Sequence, residues 1–480
     1  MTRLRRAVAV AACAAVLSGC TSFATTLRGA AAPAVAAPAA APACPAARAR
    51  PDPARPRVDL DMRLSDDLHT VTGTETVRFT PDRPVSQLVF RLVPNSPGSA
   101  ASGNRLTVDA VAGTDVAGGS HVTAGAAGPG GLYRVHLRSR LPAGGTTTVT
   151  LRWTLTLGVG DFDRVGTDDG PSGPVAWWGS GAPLLAWEPG VGWAQEPFTT
   201  VPGETATSPA AATTVRVSAP AELTLLMTGV QAPPTSDGSD RRTWTSSDPA
   251  ARDVSVAAGR FTTRSVTTAA GTVVTVGVLP GATDPDAATL ADWTTTAIGA
   301  LESRFGPYGF GSLTVASLPT YGGGIEYPGS ILLAGIDRAV LVHEVAHMWF
   351  YGMVGDDQYR DPWLDEAFAT YAEALVDDHG LPAGAPQALD LPGQVGAPIG
   401  GFGASDDYAR VVYGKGGAAL LAAREAAGPA AFDAALRCYV DARAWTIARP
   451  RDVAAALARL RPALDVLVRA GALRPEDVPR

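Results

Sequence analysis

Five consecutive residues of the chain, His343-Glu344-Val345-Ala346-His347, have the types and spacing for metal chemistry. Two histidines four apart on a helix project from one face, about 6 Å apart along the axis at roughly 1.5 Å per residue. Both imidazoles can therefore reach one zinc ion, and Glu344 sits beside the metal without binding it, placed to take a proton from water. A catalytic zinc usually keeps three protein ligands and one open position. Glu366, in Trp363-Leu364-Asp365-Glu366 with eighteen residues between it and His347, is the candidate third ligand. The chemistry implied is metal-assisted hydrolysis, as in a metallopeptidase.

Those residues need elements to hold them. The sequence predicts a helix from about Asp337 to Val354 for the histidines. A second helix has Asp361 as N-cap and Pro362 at its first position, carries Glu366 and stops at Gly380. Upstream, the pattern changes at Asp284-Pro285 into a helix running to about Arg304. A strand from Ser312 to Leu318 follows, then the glycine-rich run Tyr321 to Gly329, then a strand from Ser330 to Leu333. Beyond Gly403 the chain reads as helical and rich in alanine.

Before this region, from Val58 to about Pro280, short alternating segments separated by turn residues predict an antiparallel β domain. Val71 to Phe79 is the weakest strand, because Gly73 and Glu75 fall on its would-be apolar face. Val273 to Val278 closes the series. Residues 158–212 hold few strand signals but carry Trp177, Trp178, Trp187 and Trp193, and read as a loop packed on the second domain. Glu196 in this loop is a candidate lining residue of a substrate cleft.

The first nineteen residues combine Arg3, Arg5 and Arg6 with an apolar run too short to span a bilayer, which reads as an export signal. Leu17-Ser18-Gly19-Cys20 resembles a bacterial lipobox, implying cleavage before Cys20, lipid attachment there, and a membrane-anchored protein outside the cytoplasm; without lipidation it would be secreted. Residues 20–56 form an Ala/Pro-rich tether. Cys44 and Cys438 could pair in an oxidising compartment, but spacing alone does not bring them together. The organisation expected is signal 1–19, tether 20–56, β domain 57–280 and zinc peptidase domain 281–480. With 46% hydrophobic and 18% charged residues the chain is globular. A formal charge of −7 without a basic tract argues against nucleic acid as a partner.

Taken together, His343, Glu344, His347 and Glu366, with Trp349 and the run Trp363 to Ala369, resemble the M1 family of zinc aminopeptidases, the gluzincin group. One departure is Asp365-Glu366-Ala367 where the family has Asn-Glu-Gly. Gly323-Gly324-Ile325-Glu326-Tyr327 resembles the family's Gly-x-Met-Glu-Asn motif. This implies that Glu326 anchors the substrate α-ammonium, with Gly323 and Gly324 letting an extended peptide approach. Tyr327 in place of Asn is the larger departure. Tyr413-Gly414-Lys415-Gly416 resembles the Tyr-x-Lys-Gly segment, whose phenol donates to the oxyanion; Tyr408 is the competing phenol. Lys415 is the only lysine in the chain.

The resemblance implies an α+β, multidomain fold, with an N-terminal antiparallel β domain followed by a thermolysin-like domain, mixed α/β and then helical. It further implies one Zn2+ per chain, peptide substrates and no obligate protein partner. Two rival functions stand beside the aminopeptidase: a zinc endopeptidase on the same centre, and a catalytically idle binding module. His69, His121, His136 and His379 read as structural or surface residues.

Overall fold

The computed structural model describes residue 44 and residues 46–159, 163–169, 173–201, 203, 206–236, 238–281, 285–319, 323–335, 337–376 and 385–479. The export signal, Cys20, Asp284, Tyr321, Gly322, His379 and Gly380 lie outside the described residues. None of the described helices is long and apolar enough to cross a membrane.

The N-terminal part is built from β-sheets whose strands bury alternate residues. Arg57–Leu64, Thr147–Thr156 and Ala211–Pro220 each put their apolar side chains on one face, the period of two that a pleated strand imposes. They join Thr70–Phe79, Arg105–Ala112, Val230–Ser236 and Arg241–Ala251 in a seven-stranded sheet. Its pairing is antiparallel except between Arg57–Leu64 and Ala211–Pro220, which run parallel. The weak strand forms, and its odd residues are explained by its partner. Gly73 lies opposite Trp153, and a Cβ at 73 would fall 2.2 Å from the indole ring. Glycine is what lets the ring lie flat on the strand. Glu75 is buried on the same face, and desolvation pushes its carboxyl well above the usual range, with Asp253 adding to the shift.

Residues 158–212 correct the loop expectation. They contain a hairpin of Val165–Asp168 and Val175–Gly179 that pairs with Ser255–Gly259 and, through it, Thr224–Met227. Trp178 and Trp187 enter the β core. Trp177 instead joins Ile325, Tyr327 and Leu332 in a cluster between the β part and the sheet that follows. Short strands among many Gly and Pro residues carry too few alternations to be seen in sequence.

That next sheet has five strands in the order Thr262–Thr267, Val273–Val278, Ser312–Leu318, Ser330–Ala334, Gly323–Tyr327. Val273–Val278 was expected among the β-region strands, yet it pairs in parallel with Ser312–Leu318 across an intervening helix. Alternation reports that a strand exists, whereas its sheet is decided by contacts distant in sequence. Helix Ala287–Phe305 is capped by Asp286, whose side chain accepts from Thr289 N–H. It covers this sheet together with the helices from Arg338 onward, around one apolar core.

Two segments far apart in the chain are joined. Cys44 and Cys438 form a disulfide with Cα atoms 5.0 Å apart. Close by, Arg48 pairs with Asp441 at 2.7 Å. The last residues of the Ala/Pro-rich segment are therefore pinned to helix Pro429–Arg443.

Candidate metal centre and active site

The histidine helix spans Arg338–Ala346, with the Asp337 carboxylate accepting from Ala339 and Val340 N–H. It is shorter than expected. His347 is its C-cap, and the chain then turns back through Tyr351, at φ 110°, into a bridge between Phe350 and Val354. Glu366 opens helix Glu366–Val376, while Pro362–Leu364 forms a separate 3-10 turn; Asp361 precedes that turn without a side-chain capping bond.

These two helices bring the predicted ligands together. Ligand atoms of His343, His347 and Glu366 all lie within 4.8 Å of one another. Glu366 Oε2 is 3.3 Å from His343 Nε2 and 3.5 Å from His347 Nε2. Both Nδ1 atoms turn outward to carboxylates: His343 to Glu373 at 3.2 Å, His347 to Asp365 at 2.5 Å. With Nδ1–H donating outward, each Nε2 presents its lone pair inward, as a metal-binding imidazole requires. Two imidazoles and a carboxylate suit zinc, and the donor set fits one ion.

Burial opposes a proton on His343, but the Glu366 and Glu373 carboxylates raise it to about 10. Glu366 is driven below the usual carboxylate range, its burial outweighed by the neighbouring imidazoles of His343 and His347. The pocket is electrostatically built for positive charge. Sequence reasoning missed Glu373, although it stands seven residues after Glu366, on the same helix face two turns on. It also treated Asp365 only as a departure from a motif.

Glu344 is 4% exposed, and its Oε2 has no hydrogen-bond partner among the described residues. Burial raises its pKa, with His343 and His347 pulling back. Its position explains Gly324. A Cβ at 324 would sit 2.3 Å from Glu344 Cγ, so only glycine leaves the carboxylate its place.

Gly324 and Glu326 share one face of strand Gly323–Tyr327, which pairs with Ser330–Ala334 and ends the five-stranded order. Glu326 is buried beside Glu344 and His347 within 4.8 Å, with Oε1 unpartnered among the described residues. Tyr327 points to the opposite face. It is fully buried in the cluster with Trp177, and its hydroxyl accepts from Arg164 at 3.2 Å. The Asn-to-Tyr departure thus alters the seam with the β part and leaves the Glu326 face alone.

Tyr413 lies on a π-helix, Ala409–Lys415. Its phenol donates to Glu366 Oε1 at 2.5 Å and its ring stacks on His343, 5.9 Å away. Tyr408 is buried with its hydroxyl unpartnered among the described residues. Lys415 reaches no carboxylate among the described residues; it donates to the Leu391 and Gly393 carbonyls at 2.7 and 2.8 Å, tying a loop to the π-helix. Glu196 joins an ion-pair network with Arg360, Glu188, Asp357 and Arg449 between the β part and the helical part.

Residues 337–389 match the profile of the Peptidase family M1 domain. Among solved structures, an M1 zinc metallopeptidase from Deinococcus radiodurans superposes with a TM-score of 0.63 at 21% identity, covering 90% of this chain and 96% of that one. Residues 337–389 thus carry an M1 peptidase signature, and the fold is similar to that of an M1 zinc metallopeptidase.

Curated relatives match over shorter stretches. Aminopeptidase N of Streptomyces lividans is 56% identical over 39 residues, 8% of this chain and 5% of that protein. Aminopeptidase B of Rattus norvegicus is 35% identical over 85 residues, 16% of this chain and 13% of that protein. The chain thus aligns with only a small fraction of the length of these two relatives.

Proposed function

We propose that the protein is a zinc aminopeptidase that removes N-terminal residues from peptides outside the cytoplasm. The observation that carries this is the convergence of His343, His347 and Glu366 with two further buried carboxylates, Glu344 and Glu326, at the edge of strand Gly323–Tyr327.

A zinc ion on the three ligands supplies Lewis acidity toward a peptide carbonyl and toward water. The chain's own groups do the rest. Glu344, with its raised pKa, takes the proton of the attacking water near neutral pH and returns it to the leaving amine. Tyr413 exchanges its bond to Glu366 for one to the developing oxyanion. Glu326 pairs with the substrate α-ammonium, a charge-assisted contact that its unpartnered oxygen lacks within the protein. The strand edge, opened by Gly323, offers backbone groups to an extended peptide. A mutant of the Deinococcus enzyme has been crystallised with Tyr-ser-ala as substrate, which supports peptides as the substrate class. Export and lipid attachment at Cys20 complete the reading.

The test is hydrolysis by purified, zinc-loaded protein of aminoacyl anilides and of paired free and N-acetylated peptides. Cleavage of the free forms alone is expected. Equal cleavage of both would make it an endopeptidase, and bound zinc without any turnover a binding module. Glu344→Gln should keep zinc and lose turnover by at least about 10²-fold. For the anchor, Cys20→Ala should move the protein from the membrane fraction to the soluble one; unchanged fractionation counts against lipid attachment.

A further inference from the structure

Behind His347 runs a chain of hydrogen bonds that leaves the metal centre and ends in the β part. His347 Nδ1–H donates to Asp365 Oδ1 at 2.5 Å. The other oxygen, Oδ2, accepts from Gln358 Nε2 at 3.2 Å. Gln358 Oε1 accepts in turn from the backbone N–H of Ala206 at 3.1 Å. Asp365 is 0% exposed and Gln358 2%. Every polarity agrees. The Ala206 N–H can only donate, so the amide must show it its oxygen and turn its NH2 to Asp365. Asp365 then has both oxygens occupied and a fixed carboxylate plane.

We infer that Asp365, held by Gln358 and the Ala206 backbone, is a positioning residue that strengthens zinc binding at His347. Where the M1 pattern has an amide, this chain has a full negative charge in hydrogen-bond contact with the imidazole. A carboxylate accepting from Nδ1 locks the tautomer that leaves Nε2 free, and makes that nitrogen a more basic ligand. The two histidines are not equivalent in this respect. The Asp365 carboxylate is buried and clamped, whereas Glu373, the partner of His343, is 28% exposed at its side chain and sits at 3.2 Å. His347 is therefore the ligand whose donor strength depends on the β part, because residue 206 belongs to the long segment between Val165–Asp168 and Ala211–Pro220.

This rests on His343, His347 and Glu366 being the metal ligands, and the experiment separates the two ideas. The zinc dissociation constant of the full chain is measured by competition with a chromophoric chelator, for the parent, Asp365→Asn and Gln358→Leu, with zinc-free melting temperatures alongside. Parent protein that takes up no zinc would sink the ligand assignment itself. Given parent binding, Asp365→Asn keeps an acceptor for Nδ1–H, removes the charge and sets an NH2 against the Gln358 NH2, so its dissociation constant should rise about 10- to 100-fold. Gln358→Leu should raise it by a smaller factor. A merely structural role would lower the zinc-free melting temperature and leave the dissociation constant unchanged. A folded Asp365→Asn within about twofold of the parent overturns the inference. If Asp365→Asn does not fold, Gln358→Leu decides, and an unchanged constant there overturns it equally.

Discussion

The Tyr413 phenol donates to Glu366 Oε1, at 2.5 Å, while the other oxygen of that carboxylate faces both histidine Nε2 atoms. One carboxylate thus holds the candidate oxyanion donor against the metal site until a substrate carbonyl competes for it. Tyr413→Phe should lower kcat by about 10²- to 10³-fold, the usual effect of losing one oxyanion donor, and change KM little. Tyr408→Phe removes a buried hydroxyl that has no partner among the described residues and should leave kcat and melting temperature close to the parent's. Steady-state kinetics of the two variants distinguish the phenols, and a larger kcat loss in Tyr408→Phe would reverse the assignment.

Gly324→Ala should act through Glu344. The new methyl must displace a side chain that it meets at 2.3 Å, and a base misplaced by about 1 Å can cost 10²-fold in rate. The expected result is zinc content equal to the parent's with kcat lowered by about 10- to 100-fold. Unchanged kcat would mean that Glu344 has room to shift without consequence.

The disulfide closes a loop of 394 residues in sequence separation, so it restricts the unfolded chain strongly. Cys438→Ser, or reduction of the parent, should lower stability by roughly 2–4 kcal/mol, read by chemical denaturation with and without reductant. Equal stability would mean that Arg48–Asp441 and the packing around it already hold the segment.

Stability should also carry a pH signature from Asp248. Burial raises its carboxyl from 3.8 to about 6, offset in part by the Ala250 N–H and by Arg55. The folded state therefore prefers the neutral acid. Its ionisation costs folding free energy above about pH 6, and this cost disappears as pH falls through 6 toward 3.8. Asp248→Asn, neutral throughout, should be more stable than the parent at pH 8, by about 3 kcal/mol at most. The advantage should shrink by pH 5. An advantage that is the same at both pH values would contradict it.

Much of the site was legible because its spacing is local. Helical geometry puts His343 and His347 on one face without help from the rest of the fold, and alternation puts Gly324 and Glu326 on one face of a strand. Even so, the helix ends eight residues before the expected Val354, since a turn at Tyr351 depends on what the chain packs against and periodicity does not report that. Gly324 suggested peptide access from sequence; only the fold reveals Glu344 lying over it.

By itself the sequence determined the kinds of chemical group, their order and their local faces: two imidazoles, three carboxylates and a phenol. Tertiary structure decided what those groups lean on. Asp365, Gln358 and Ala206 line up behind His347, Glu373 stands behind His343, and Cys438 meets Cys44 across nearly the whole chain. Such contacts join segments far apart in sequence, and each depends on burial and on the angle at which two elements cross. Neither quantity is written in the spacing of residues along one strand or one helix.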